Sequence, residues 1–367
     1  MARALTLSIL AAAACLLGTS ATGSGVIDPL ERPAGILRNP ASAVFLDVAR
    51  AGNRIVAAGE RGMVALSDDG GKTWRQGRVP TSVSLTAVEF PSAKAGWAVG
   101  HGGVILHTGD GGETWTRQLD GKQAARMALE AAQAAAARAP NDEGAKARLV
   151  DAERLVADGA DKPFLGIQFT SDRTGVVVGA YGLIFGTEDA GRTWRPWMDR
   201  LDNPKGLHLY AIRSVGQTVY LAGEQGLFLR SLDGGGHFQR LQTPYAGTYF
   251  TLAVTRSGAV VLAGLRGNAY RSDDRGKTFA KVAVPSPISL GASVALSDGR
   301  LLFSDQAGHL LESRDDGRTL QILPVPQLPP VAGLAELGAG NLLTAGVAGV
   351  IPVSLRTDGG AQKGGAR

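Results

Sequence analysis

Cysteine is almost absent from this chain of 367 residues, which contains only Cys15, near its start. A fold cross-linked by disulfides is therefore excluded. Aromatic residues make up 6% of the chain, and the formal net charge is only +5. Lysine and arginine never form a run of five or more, so the composition does not favour nucleic-acid binding.

Long apolar runs are also lacking after the first residues of the chain. Leu5–Leu17 is an apolar run that follows Arg3 and precedes small residues around Ala21. This pattern is typical of a removable signal peptide and is too short for a membrane-spanning helix. We therefore predict a signal peptide over residues 1–23 and a periplasmic or secreted protein with no integral membrane segment after cleavage. A lipoprotein modified at Cys15 is the alternative, although the residues before Cys15 fit a lipobox poorly.

Glycine, in contrast, is abundant, with 51 residues, and many of them belong to an eight-residue motif. The motif, Ser/Thr-x-Asp-x-Gly-x-Thr-Trp/Phe, is an Asp-box, and its aspartates are separated by 41, 79, 44, 41 and 41 residues. Ser, Thr and Asp side chains hydrogen-bond to backbone groups in turns, so each copy predicts a structural turn between two strands. The aspartates of the motif are Asp69, Asp110, Asp189, Asp233, Asp274 and Asp315.

A metal or cofactor is not expected from these residues. Each copy of the motif offers one well-placed carboxylate, whereas a calcium site needs a cluster of oxygen ligands. The five histidines are scattered and lack the spacing of zinc ligands.

A second motif, Gly-x-x-Gly, separates two apolar stretches in almost every repeat and predicts a tight hairpin between the second and third strands of a blade. Seven such hairpins predict an all-β, seven-bladed β-propeller over residues 24–357, followed by a Gly-rich, disordered tail over residues 358–367. The last blade shows only three strands, so we expect Val26–Leu37 to supply the fourth and close the ring. Copies of the motif begin at Gly59, Gly100, Gly179, Gly223, Gly264 and Gly346, and Ser304–Gly308 takes its place in the sixth blade.

Residues 120–161 interrupt the repeat between blades two and three. They are rich in strong helix formers, and the turn residues Pro140–Gly144 divide them into two stretches. We predict a helical hairpin here. Two roles remain open for it: a surface elaboration, or a docking device for a protein partner.

The two middle residues of each Gly-x-x-Gly hairpin differ from blade to blade, while the frame around them stays constant. Variable positions on a constant scaffold are typical of a recognition surface. The simpler interpretation is that exposed hairpin tips need only be polar. The candidate partner-binding residues are Arg61, His101, Tyr181, Glu224, Gln225 and Arg266.

The stretch Gly96–Trp115 resembles the repeat of the photosynthesis system II assembly-factor family of secreted seven-bladed propellers. The resemblance extends over residues 42–355 apart from the insertion, and it implies a non-catalytic assembly or stability factor. We therefore expect a monomeric protein-binding scaffold that supports a membrane protein complex or transporter. The alternative is a glycan-active or glycan-binding propeller, because Asp-boxes also occur in sialidases. Arg61 and Arg266 would supply two of a sialidase's three arginines, but the usual Arg-Ile-Pro motif is missing.

Overall fold

The chain forms a ring of seven antiparallel sheets in a computed structural model that describes residues 27–338 and 340–355. Six sheets have four strands and the seventh has three, and within each sheet the strands follow one another in chain order. Each sheet is one blade, with its first strand innermost. The predicted seven-bladed propeller is confirmed. The predicted signal peptide with Cys15 and the predicted tail lie outside the described residues.

Each of the first four blades contains four strands in chain order. Blade one contains β1–β4 (Phe45–Ala51, Arg54–Gly59, Val64–Ser67, Arg75–Gln76), and blade two contains β5–β8 (Leu85–Glu89, Gly96–Gly100, Ile105–Thr108, Thr116–Leu119). Blade three contains β9–β12 (Phe164–Phe169, Gly175–Gly179, Ile184–Thr187, Arg195–Pro196), and blade four contains β13–β16 (Leu209–Val215, Thr218–Gly223, Phe228–Ser231, Gln239–Arg240).

The remaining blades repeat the pattern. Blade five contains β17–β20 (Tyr249–Val254, Val260–Gly264, Ala269–Ser272, Ala280–Lys281), and blade six contains β21–β24 (Leu290–Ala295, Leu301–Asp305, Leu310–Ser313, Gln321–Ile322). Blade seven contains β25–β27 (Val331–Gly338, Asn341–Gly346, Gly349–Ser354).

Two helices form the predicted hairpin between blades two and three, α1 (Gly121–Arg138) and α2 (Glu143–Asp158). Asp120 starts α1 with a capping box, because its side chain accepts from the amide of Gln123 and the Gln123 side chain accepts from the amide of Asp120. Asp142 caps α2 by accepting from the amide of Gly144. The insertion is thus a defined element with its own stop and start signals.

The eight-residue motif forms the turn between the third and fourth strands of a blade. In blade one, Asp69 accepts hydrogen bonds from the amides of Lys72 and Thr73 at 3.0 and 2.9 Å and from the hydroxyl groups of Ser67 and Thr73. The indole of Trp74 donates to the carbonyl of Gly71 at 3.0 Å. One carboxylate therefore satisfies several donors of a tight turn, and the aromatic ring fixes the strand that follows.

The hairpin between the second and third strands is equally regular. The amide of its first residue donates to the carbonyl that precedes the innermost strand, as from Glu60 to Val44 at 3.0 Å, and this bond recurs in all seven blades with N···O distances up to 3.4 Å. Six blades have glycine before that residue, and a Cβ at Gly59 would collide with the carbonyl oxygen of Val44. Blade six has Asp305 at this position, and its carboxylate accepts from the amide of His309 at 2.9 Å.

These hairpins and the connections between blades lie at one end of the ring, which we call the upper face. The turns formed by the eight-residue motif lie at the opposite end, the lower face. The helical hairpin connects two blades and therefore belongs to the upper face. Large apolar side chains pack between neighbouring blades, as where Trp97 of blade two stacks on Phe169 of blade three with ring centroids 3.7 Å apart.

The predicted closing strand is wrong. Residues 27–37 contain no strand, and no fourth strand pairs with Gly349–Ser354 in the part of the chain that the structure describes. Instead, the segment crosses the upper face over blades one and two, where the carbonyl of Pro29 accepts from the amide of Ser82 at 2.9 Å and Leu30 is buried. Two prolines in the segment cannot donate to a sheet, which explains its irregular path.

The ring closes through side-chain packing. Phe45 and Val48 of blade one share one buried cluster with Leu343 and Ala345 of blade seven. No helix of the described ranges is long and apolar enough to cross a membrane.

We expect Asp315→Ala to lower the free energy of unfolding by about 1–3 kcal/mol, because the amides of Arg318 and Thr319 lose their acceptor. Urea denaturation monitored by tryptophan fluorescence measures the change. Asp172→Ala, at an exposed aspartate outside the motif, is the control and should have almost no effect. Equal losses in the two variants would contradict a stabilising role for the motif.

Candidate functional site

Five of the six candidate partner-binding residues are exposed at hairpin tips of the upper face. Blades one to five contribute Arg61, His101, Tyr181, Gln225 and Arg266 in turn. Blades six and seven present Gln306 and Val347 at the corresponding tips. We call these seven residues the tip ring, because each blade contributes one of them. Its members are chemically diverse, with two arginines, a histidine, a tyrosine, two amides and one valine.

Four members of the tip ring adopt a left-handed backbone conformation. Arg61, Tyr181, Gln225 and Arg266 have φ values of 54°, 56°, 49° and 56°. This conformation costs a residue with a side chain about 1–2 kcal/mol, whereas glycine adopts it freely. Blade two has Gly102, with φ 68°, at the equivalent position. Four blades thus retain a large side chain where glycine would be easier to accommodate.

Glu224, the sixth candidate, does not point away from the protein. Its carboxylate accepts from the amide of His208 at 2.8 Å and lies 3.1 Å from Nδ1 of the same histidine. Glu224 therefore holds the connection between blades three and four in place. Unlike the other five candidates, Glu224 directs its side chain towards its own blade.

The ring of Tyr181, at the tip of blade three, contacts a histidine and a lysine side chain. Its ring centroid lies 4.8 Å from that of His208, and the ammonium group of Lys162 sits 4.6 Å from its ring centre. Aromatic contacts continue from His208 to Tyr210 and from there to Phe250, at 6.3 and 5.5 Å. An aromatic strip therefore leads from the tip of blade three to the innermost strands of blades four and five.

A polar cluster in the innermost strands was not predicted from the sequence. Asp47 of blade one accepts from the amide of Val88 in blade two at 2.9 Å. Glu89 of blade two accepts from two donors in blade three, the backbone amide of Phe169 at 2.6 Å and the side-chain amide of Gln168 at 2.7 Å. Each carboxylate therefore links its own blade to the next one.

Burial controls the protonation of this cluster. It raises the pKa of Asp47 to about 6 and that of Glu89 to about 8, against the opposing effect of backbone donors and of Arg213. The only sequence signal for these residues was a single acidic side chain within each of these two largely apolar inner strands. No group of three or more His, Cys, Asp or Glu residues that could hold a metal occurs within residues 27–338 and 340–355.

The chain matches the family model described as photosynthesis system II assembly factor YCF48, over residues 35–145 and 147–294. This covers well over half of the chain. The chain belongs to that family.

A curated relative, the photosystem II assembly lipoprotein Ycf48 of Synechococcus sp. (strain CC9902), is 34% identical over 77 residues. That alignment covers 21% of this chain and only 23% of the relative. The solved structure of YCF48 bound to D1 peptide is similar to this chain. Its TM-score is 0.62 at 17% identity, covering 90% of this chain and 96% of that one.

Fold similarity extends beyond the YCF48 family to an enzyme. Virginiamycin B lyase from Staphylococcus aureus has a TM-score of 0.64 at 12% identity, with 88% of this chain and 97% of the lyase covered. Identity at this level shows a shared propeller fold and nothing about activity. Membership of the YCF48 family therefore rests on the family model.

We expect Arg266→Gly to leave the free energy of unfolding unchanged or to raise it by up to about 1 kcal/mol, because glycine removes the left-handed strain. Urea denaturation tests this. Lys281→Gly, at an exposed strand position, is the matched control and should destabilise the protein. A loss at Arg266 as large as that at Lys281 would argue against strain at the tip.

We expect Glu89→Gln to raise the melting temperature more at pH 8 than at pH 5. The carboxyl group loses its proton near its ordinary pKa of 4.5 in the unfolded chain and only near 8 in the folded protein. Stability is therefore lost as the pH rises between these values, and an uncharged amide avoids that loss. Differential scanning calorimetry at both pH values measures it.

Glu130→Gln is the control for this pH dependence, because Glu130 is exposed on α1. It should change the melting temperature equally at both pH values. A Glu89→Gln variant with no greater benefit at pH 8 would show that burial does not suppress ionisation of Glu89.

Proposed function

We propose that this member of the YCF48 family is a non-catalytic scaffold of the cell envelope, and that its tip ring binds a protein partner in a membrane complex. The observation that carries the proposal is the left-handed conformation of Arg61, Tyr181, Gln225 and Arg266. Strained side chains at exposed positions are typical of functional surfaces. Each of these four residues projects from the equivalent hairpin of its blade on the upper face, whereas the other non-glycine residues with positive φ in the described ranges, Ala190, Arg275 and Asp316, lie in turns of the lower face.

Family membership supports a protein as the partner. The solved YCF48 structure is bound to D1 peptide, and the curated relative is a photosystem II assembly lipoprotein. We extend to this chain only the class of partner, a segment of a membrane protein. The same relative and the apolar run at Leu5–Leu17 support a location in the periplasm or at the outside of the cell.

A non-catalytic role fits the engagement of the ionisable groups at the tips. Glu224 is paired with His208, and Asp305 holds His309 at 2.9 Å within its own hairpin. Both carboxylates are thus paired with a histidine close to their own hairpin, whereas a glycosidase needs one carboxyl group to act as an acid and another as a base or nucleophile. We also propose that the six aspartates of the eight-residue motif stabilise turns of the lower face and take no part in binding.

The proposal predicts that replacing Arg61, Tyr181 and Arg266 together by alanine weakens partner capture at least about tenfold, because two charges and an aromatic contact are lost. Purified protein is immobilised and exposed to detergent-solubilised membranes from the source organism. Quantitative mass spectrometry then compares the membrane proteins that the wild-type protein and the variant retain.

Lys72→Ala with Lys277→Ala is the matched control. Both lysines are exposed on the lower face, and their loss removes the same charge as the two arginines. Retention of the same partner by the tip variant, or an equal loss in the lysine control, would overturn the proposal. Circular dichroism of each variant confirms that the fold is retained.

A further inference from the structure

The helical insertion creates a groove that a plain propeller would not have. A volume of about 430 Å³ separates the hairpin from blade three and from the connection that follows β12. Its floor is apolar and contains Leu155, Leu183 and Met198, which are partly or fully buried. We call this space the insertion groove.

Small side chains keep the insertion groove open. Ala128, Ala132 and Ala152 are buried where α1 and α2 pack together. Ala131, Ala135 and Ala147 line the groove, and their short side chains leave space within it. Leucine at these positions would fill the same space and would keep the helix stable. The open volume therefore follows from the choice of alanine along the helices.

Acidic side chains flank the apolar floor. Asp151 and Asp199 line the groove and are exposed, and neither has a polar partner among the described residues. Two arginines line the far end: Arg148 lies 3.8 Å from Asp142, and Arg138 keeps its charge, because its Nε donates only to the neutral carbonyl of Ala134 at 3.2 Å. Three carboxylates (Asp151, Asp199 and Asp202) therefore line the groove against two guanidinium groups, and the acidic side chains are in excess by one.

We infer that the insertion groove binds a short segment of a partner protein that carries apolar side chains together with lysine or arginine. Apolar side chains would cover Leu155, Leu183 and Met198, and the thioether of Met198 adapts to different shapes. A cationic group would lie against Asp151 and Asp199. Anionic lipid is disfavoured as an occupant by the same two carboxylates.

Tyr181 connects the groove to the rest of the upper face, because it belongs to the tip ring and also lines the groove. A bound segment could pass from the groove onto the tips without leaving the surface. The inference rests on the proposed function in that both place the partner on the upper face. It adds the chemistry of the segment and a second point of attachment.

The test uses a fluorescein-labelled amphipathic peptide of leucine and lysine, and the same peptide with glutamate in place of lysine. Fluorescence anisotropy with the full chain should show that the lysine peptide binds at least about tenfold more tightly than the glutamate peptide. Asp151→Asn with Asp199→Asn should weaken the lysine peptide several-fold. Ala135→Phe should weaken it at least about tenfold by filling the groove.

Asp172→Asn, an exposed aspartate outside the groove, is the matched control and should leave the affinity unchanged. Equal binding of the two peptides, or unchanged affinity in both groove variants, would overturn the inference. Binding of anionic phospholipid vesicles without binding of the lysine peptide would also overturn it. The asparagine pair keeps the test valid if Ala135→Phe fails to fold.

Arg61→Ala with Arg266→Ala separates this inference from the proposed function. These residues lie outside the groove, so their loss should leave peptide affinity unchanged while partner capture falls. If the tip variants lose the partner and the groove variants bind peptide normally, the inference fails and the proposed function stands. If the groove variants alone lose both, the groove stands and the tip ring fails.

Discussion

The packing of each blade against its neighbours is the interaction on which the rest of this structure depends, and the contact between blades one and seven is its critical case. Phe45 and Val48 close the ring by joining Leu343 and Ala345 in one apolar cluster. Gly333 permits this approach, because a Cβ there would come within 2.7 Å of Cα in Asp47. With no strand shared between blades one and seven in the described residues, the chain depends on apolar contact to hold its first and last blades together.

A ring held by its core leaves its hairpins free to differ, and this separates scaffold from site. Turns of the lower face repeat one hydrogen-bond pattern around an aspartate, and tips of the upper face repeat one backbone bond. Neither hydrogen-bond pattern involves the exposed side chains at the tips, because the recurring bond there fixes only the backbone. The insertion exploits the same freedom, because a connection on the upper face can lengthen without disturbing any strand pair.

Periodicity made the fold predictable, and the absence of periodicity explains what was missed. Two motifs in step determine blade number, strand order and face, so the positions of Arg61, Tyr181 and Arg266 on one face followed from the repeat. Ile27–Leu37 has no such repeat, and its path depends on tertiary partners such as Ser82. The links made by Asp47 and Glu89 also escaped prediction, because their donors belong to the neighbouring blade and no local pattern specifies that contact.

Carboxyl groups in this protein respond to their surroundings in two opposite ways, and the two groups of residues change stability with pH in opposite directions. Hydrogen bonds hold the pKa of Asp189 at about 2, and the pKa of each other turn aspartate is also lowered. Their stabilisation is complete above the ordinary value of 3.8 and is lost as the pH falls. Burial has the reverse effect on Asp47 and Glu89, whose raised pKa values remove stability as the pH rises towards 6 and 8. The stabilisation that these groups contribute is therefore greatest just above pH 3.8. At neutral pH, the burial of Asp47 and Glu89 lowers the stability of the ring, although their hydrogen bonds link blades one, two and three.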